Sequence, residues 1–294
     1  MMQYPQAAKH GLAGGEAPPE RPDWTIDQGW ERYTAAEHGT WQRLYERQAK
    51  LLPGRACDEF TDGMKRLPIA AHEIPDFRRL SDVLMKATGW QVVAVPGLVP
   101  DEVFFDHLAN RRFPAGHFIR RPEQLDYLEE PDVFHDVFGH VPMLMNPVLA
   151  DYIQAYGAGG LRARNLGVLP QLARVYWYTV EFGLLQQHGG LRIYGSGIVS
   201  SYGESIFALD DPSPHRIRFD LDRVLRTRYR IDDFQESYFV LGDFDELLAL
   251  ARIDFAPHYE RIAGRPEFEP GEIAAGDRVL SRGSGAYHAA RRQR

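Results

Sequence analysis

EPDVFHDVFGHVPMLM, residues 130–145, carries two histidines, His135 and His140, with four residues between them. Neutral imidazole offers a nitrogen lone pair, which makes histidine the commonest metal-ligating side chain. Asp132 and Asp136 lie beside the pair and are acids of the kind that orient ligating rings. On one straight α-helix five steps turn about 140°, so the two rings would point apart. They converge if the helix ends between them. Gly139 is where it would end, and Pro142 opposes continuation. The spacing therefore predicts His135 on a helix's last turns and His140 just past its end. The zinc-protease pattern, with histidines four apart and a Glu beside the first, is not present here. Two hydrogen-bonded core histidines remain the plain alternative.

Further along, residues 170–187, PQLARVYWYTVEFGLLQQ, read as a single helix ended by Gly189-Gly190. Ala173, Trp177 and Glu181 are spaced by four and share a face. Glu181 sits among aromatic and aliphatic neighbours. A buried carboxylate must be protonated, paired or bound to a metal. Two histidines and one carboxylate leave about half of an octahedral shell open, which suits non-haem ferrous chemistry and also catalytic zinc. Phe104, Phe134, Phe138, Tyr176, Trp177 and Phe182 are candidate walls. A dry aromatic pocket suits an apolar aromatic substrate.

The rest of the chain reads as helices with a few short strands, a mainly α (α+β) fold. Residues 1–25 are rich in Pro, Gly and Ala and read as a flexible arm. Helices are predicted from near Ala35 to Leu52, around Phe60 and Met64, and over Asp76–Lys86. Trp90–Val95 and Phe113–Ile119 read as strands, with a short helix carrying Phe104 and Leu108 between them. Asn146-Pro147 opens a helix that Gly157, Gly159 and Gly160 would close. Leu191–Tyr194 reads as a strand, and Gly195–Ser201 as a small-residue loop. Asp220–Arg228 and Asp243–Asp254 read as helices, and Tyr238–Leu241 as a strand. Residues 270–294, ending AARRQR, read as a mobile tail, so one domain spans 26–269.

Composition narrows the class. Of 294 residues, 44% are hydrophobic and 26% charged, enough for a sizeable core. A net charge of −7 argues against nucleic acid or an anionic membrane as partner. A single cysteine, Cys57, excludes an internal disulfide, and its helical spacing puts it in the core. With no secretory signal and no spanning apolar run, the expected place is the cytoplasm.

Three long motifs then point to a family. EPDVFHDVFGHVP (130–142), ARVYWYTVEFGL (173–184) and RIYGSGIVSSYGES (192–205) occur in order, supported by RRFPAGHFIRR (111–121). Over roughly Tyr33 to Pro257 the chain resembles the pterin-dependent aromatic amino acid hydroxylases, in particular their bacterial members. The resemblance implies a mainly helical catalytic domain around an iron-containing basin. His135, His140 and Glu181 match the iron ligands. The implied reaction hydroxylates L-phenylalanine to L-tyrosine with Fe(II), a tetrahydropterin and O2. Gly97, Leu98 and Val99 match the loop whose backbone bonds the pterin, and Phe104 matches the ring that stacks on it. Ala173 and Tyr176 match further pterin neighbours. Asp136 stands where the animal enzymes have a glutamate. Arg120 matches the arginine that holds the substrate carboxylate, as a planar guanidinium can, and Asp132 the acid that steadies it. Pro131 and Trp177 match substrate-pocket walls, and Ser200 a serine near the substrate and an iron-ligand histidine. Leu128 departs from the threonine of the animal enzymes. The chain has no room for their regulatory domain and no C-terminal heptad helix, which implies a monomer. Rival readings are tryptophan or tyrosine as substrate, a metal-dependent hydrolase built on the His135-Asp136 pair, and a non-catalytic ligand-binding protein.

Overall fold

The computed structural model describes residues 21–292 apart from 127 and 129. Helices dominate, and two small sheets interrupt them. Thr34 opens α1 (Ala35–Leu51): its hydroxyl accepts the Glu37 amide while Glu37 accepts the Thr34 amide. α2 (Asp58–Arg66) and α3 (Phe77–Ala87) follow where apolar spacing places them. Cys57 is fully buried just before α2, and burial pushes its thiol pKa up, which keeps it unreactive. β1 (Gln91–Val95) pairs in parallel with β2 (Arg112–Gly116), and α4 (Asp101–Ala109) forms the crossover between them.

Asn146 caps α5 (Pro147–Asn165) by accepting the amides of Val148 and Leu149. The stop predicted at Gly157–Gly160 does not occur. A Cβ on Gly157 would lie 2.4 Å from the Ala109 nitrogen, and one on Gly160 2.1 Å from the Phe105 ring. These glycines let α5 lie against α4. The helix predicted over 170–187 is also shorter than expected. α6 (Leu169–Tyr176) passes into a π-helical turn, Trp177–Glu181, and Leu184–Gln187 forms strand β3. β3 makes a hairpin with β4 (Gly190–Ile193) through His188 and Gly189, both at positive φ, the turn that matches strand twist. Residues 195–201, predicted as a loop, contain the one-turn helix α7 (Ser196–Val199).

α8 (Tyr202–Asp210), β5 (His215–Arg218), α9 (Leu221–Leu225), β6 (Ser237–Leu241), α10 (Asp245–Arg252) and α11 (Ala256–Ile262) complete the domain. The larger sheet has the order β4-β3-β6-β5-β7, where β7 is Val279–Ser281. Its three middle strands run parallel and its two edges antiparallel.

Residues 1–20 of the predicted arm lie outside the described residues. At its inner end the chain packs from Thr25, which is buried, and Ile26 bridges to Ala94 of β1. The predicted tail is not a tail over 270–292. β7 pairs with β5, and α12 (Ala286–Arg292) buries His288, whose Nε2 contacts the Phe234 carbonyl at 2.8 Å. Composition pointed to mobility because the segment is short, polar and basic. Its few apolar contacts and its ion pairs were invisible to local periodicity.

Candidate metal site and the cleft beside it

His135 and His140 both lie on a π-helix, Phe134–His140, which continues into a 3₁₀ turn, Val141–Met145. The helix does not end between them as predicted. Its i→i+5 winding returns the fifth residue to nearly the same face, which an α-helix would not do. Gly139 is needed for packing instead: a Cβ there would lie 2.9 Å from the Ser196 carbonyl oxygen of α7. Phe134 and Phe138 hold the other face in the core, stacked at 4.7 Å, with Trp41 edge-on to Phe134 at 5.3 Å. Glu181 ends the second π-turn, in which the Phe182 amide bonds back to the Trp177 carbonyl five residues earlier.

The three donors converge. The two histidine Nε2 atoms are 3.3 Å apart, His140 Nε2 is 3.1 Å from Glu181 Oε1, and His135 Nε2 is 3.6 Å from Glu181 Oε2. Adjacent ligands of a six-coordinate ion with bonds of about 2.1 Å stand about 3 Å apart, so the set fits one metal ion. Among the described residues this is the one group of three or more His, Cys, Asp or Glu placed to hold an ion. Ser200 settles the tautomer of His135. Its hydroxyl donates to the Ser196 carbonyl at 2.8 Å, so its oxygen accepts from His135 Nδ1–H at 2.9 Å. Nε2 is thereby left with its lone pair toward Glu181. Burial drives the His135 pKa down to about 4, against the opposing charge of Glu181, so the ring is neutral. Burial also opposes ionisation of Glu181, but the histidines and the Gly197 amide outweigh it and hold its pKa down. The His140 ring is flanked by Phe113 at 4.9 Å and Tyr176 at 6.3 Å.

A second layer anchors His135 from below. Asp132 is fully buried and accepts Arg120 Nε, Arg120 Nη2 and the Arg120 amide, each at 2.8 Å, and the His135 amide at 3.0 Å. Burial works against its charge, but these bonds keep its pKa below the usual carboxylate range. The pairing engages two guanidinium nitrogens, Nε and Nη2. Asp136 accepts the Gly116 amide of β2 at 2.7 Å, and burial raises its pKa to about 7.

A cleft opens at the three donors. Gly97, Leu98, Val99, Phe104, Pro131, Asp136 and Tyr176 line it together with His135, His140 and Glu181. Phe104 meets Tyr176 edge-on at 6.0 Å. Of the aromatic residues expected as walls, Phe134, Phe138, Trp177 and Phe182 are not part of this lining, nor are Ala173, Arg120, Asp132 and Ser200. Ala173 is buried one turn before Tyr176. Arg120, Asp132 and Ser200 reach the site through His135, and Trp177 starts the π-turn that ends at Glu181. The sequence did not single out Phe113, Gly116 or Tyr156, which also line the cleft. Phe113 and Gly116 belong to the motif 111–121, so position within it was the available signal. Tyr156 carries no sequence sign beyond helical spacing.

The sequence pattern of the biopterin-dependent aromatic amino acid hydroxylases matches residues 30–262. A phenylalanine-4-hydroxylase of Caulobacter vibrioides is 64% identical over 277 residues, 94% of each chain. One from Ralstonia nicotianae is 61% identical, over 90% of this chain and 84% of that one. A crystal structure of phenylalanine hydroxylase from Chromobacterium violaceum with iron and phenylalanine bound has a TM-score of 0.84 at 56% identity, covering 88% of this chain and 94% of that one. Another from the same organism, with iron(III) and oxidised 7,8-dihydrobiopterin, also has a TM-score of 0.84, at 58% identity, and covers 88% and 93%. The fold, the converging donors and these likenesses agree: the chain belongs to the biopterin-dependent aromatic amino acid hydroxylase family.

Proposed function

We propose that this enzyme hydroxylates L-phenylalanine to L-tyrosine with O2 and a tetrahydropterin at a mononuclear Fe(II) site. The observation that carries the reading is the convergence of His135, His140 and Glu181, with donor atoms 3.1–3.6 Å apart, at the end of an aromatic cleft. Those three side chains would hold the iron, which supplies the activation of O2 that aromatic hydroxylation needs. The hydrolase alternative loses ground, because among the described residues only His135, His140 and Glu181 gather to hold an ion, and Asp136 accepts the Gly116 amide instead.

The remaining roles follow the family match and the placement. Phe104 offers its ring to the pterin, and Gly97, Leu98 and Val99 offer backbone groups beside it. Asp136, Ala173 and Tyr176 complete that side. Arg120, fixed by Asp132, presents Nη1 to the substrate carboxylate. Pro131 and Trp177 wall the aromatic ring of the substrate, and Ser200 steadies His135. The protein's part is to bring pterin, metal and ring together and to exclude water.

The test is turnover of the ferrous protein in air with a tetrahydropterin, offering phenylalanine, tryptophan and tyrosine separately. Tyrosine formed from phenylalanine, dependent on both iron and pterin, is the expected result. Product from tryptophan or tyrosine alone would move the substrate within the family, and no product from any would sink the reading. We further propose that the enzyme is a monomer and works in the cytoplasm, whose reducing conditions the single cysteine suits. No helix among the described residues is long and apolar enough to cross a membrane. Sedimentation of the full chain checks the monomer.

A further inference from the structure

Trp177 is held from behind by a segment that no motif of the chain marks. Its indole Nε1–H donates to Gln235 Oε1 at 2.9 Å, and its ring stacks on Tyr229 at 4.3 Å and 17°. Gln235 is buried, and both polar atoms of its side chain are engaged. Its Nε2 donates to the Arg230 carbonyl at 2.9 Å and the Asp233 carbonyl at 3.4 Å, and its amide donates to Glu204 Oε1 at 3.2 Å. With both carbonyls claiming the NH2 group, the side-chain oxygen must face the indole. The amide therefore has one orientation, and the tryptophan ring has one hydrogen-bonded pose.

The C-terminal helix braces this arrangement. Tyr287 Oη and Arg291 Nη1 both donate to Asp233 Oδ1, at 2.9 and 2.8 Å. His288 Nε2 contacts the Phe234 carbonyl, and the Tyr287 ring stacks on Phe234 at 5.5 Å. The two residues immediately before Gln235 are thus clamped by α12. We infer that Gln235, braced by α12, is a positioning residue for the substrate wall: it sets the plane of Trp177 and through it the preference among aromatic amino acids. The inference rests on Trp177 being such a wall, as proposed above. It gives residues 286–292 a task that their basic, polar composition conceals.

The experiment is a double-mutant cycle in the full-length ferrous enzyme. Gln235→Met is expected to raise the KM for phenylalanine about tenfold, the worth of one buried hydrogen bond, and to move the tetrahydropterin KM by less than about twofold. Calorimetric phenylalanine affinity should fall by the same factor, and the preference for phenylalanine over tryptophan should narrow. In a Trp177→Phe background, which has no indole N–H to hold, Gln235→Met should have no further effect. Tyr287→Phe with Arg291→Ala loosens only the brace, keeps the core intact and should shift the phenylalanine KM the same way by a smaller factor. A Gln235→Met effect that persists in Trp177→Phe, or that falls equally on amino acid and pterin, overturns the inference. Trp177→Phe with unchanged KM for all three amino acids overturns the wall assignment and the inference with it.

Discussion

Ser200 decides which nitrogen of His135 faces the other donors, because its own proton is committed to the Ser196 carbonyl. Ser200→Ala should therefore weaken iron binding about tenfold to a hundredfold, the usual cost of losing a partner behind a ligand. Titration against a competing chelator measures it, and unchanged affinity would remove the tautomer argument. Arg120→Ala acts on two levels. It strands the buried Asp132 carboxylate, which should cost roughly 3–5 kcal/mol in chemical denaturation. It should also raise the phenylalanine KM far more than the pterin KM; equal changes would count against a carboxylate clamp. The three donors that converge were legible from residue type in apolar context. Asp132 was less so: matched only as the acid that steadies Arg120, in the fold it also accepts the His135 amide.

Helices with an ordinary turn were legible from their spacing, as α1 to α4 show. The elements that carry the ligands were not, because each departs from that turn. A pattern counted at 3.6 residues per turn cannot reveal a π-helix, so the His135 helix was cut short at Gly139 and the Glu181 helix was carried too far. Glycine misled for a related reason. Gly157 looked like a stop signal, whereas it serves the contact of α5 with α4, whose backbone leaves no room for a methyl group. Gly157→Ala should thus lower stability by about 1–3 kcal/mol, although alanine is the better helix former. Thermal or denaturant unfolding decides, and a stabilised variant would show that α4 can shift.

Across the molecule, one buried acid outside the metal site sets a pH limb. Burial pushes the Glu204 carboxyl up to about 7 from an ordinary 4.5, only partly offset by bonds from the Tyr238 hydroxyl and the Gln235 amide. Between those values the folded protein keeps a proton that the unfolded chain has released. The contribution to stability is therefore full below the lower value and is lost as pH rises through the upper one. Glu204→Gln cannot ionise, so its stability relative to the parent should grow between about pH 5 and about pH 8, by no more than about 3 kcal/mol. Parallel curves would mean that the carboxyl titrates normally. The same long-range view explains why the C-terminal segment was misjudged: its partners lie about 50–75 positions back in the chain, beyond any local window.

The two π-turns also make the site depend on chain length as well as on composition. Each is a helix wound with one residue more than an α-turn would hold. Deleting one residue between His135 and His140 would leave them four apart, a spacing that an ordinary α-helix holds about 40° apart on one face. What a one-codon deletion shifts is the register of everything after it, Pro142 and the 3₁₀ turn included, so the commoner winding keeps the pair together and moves the segment that follows.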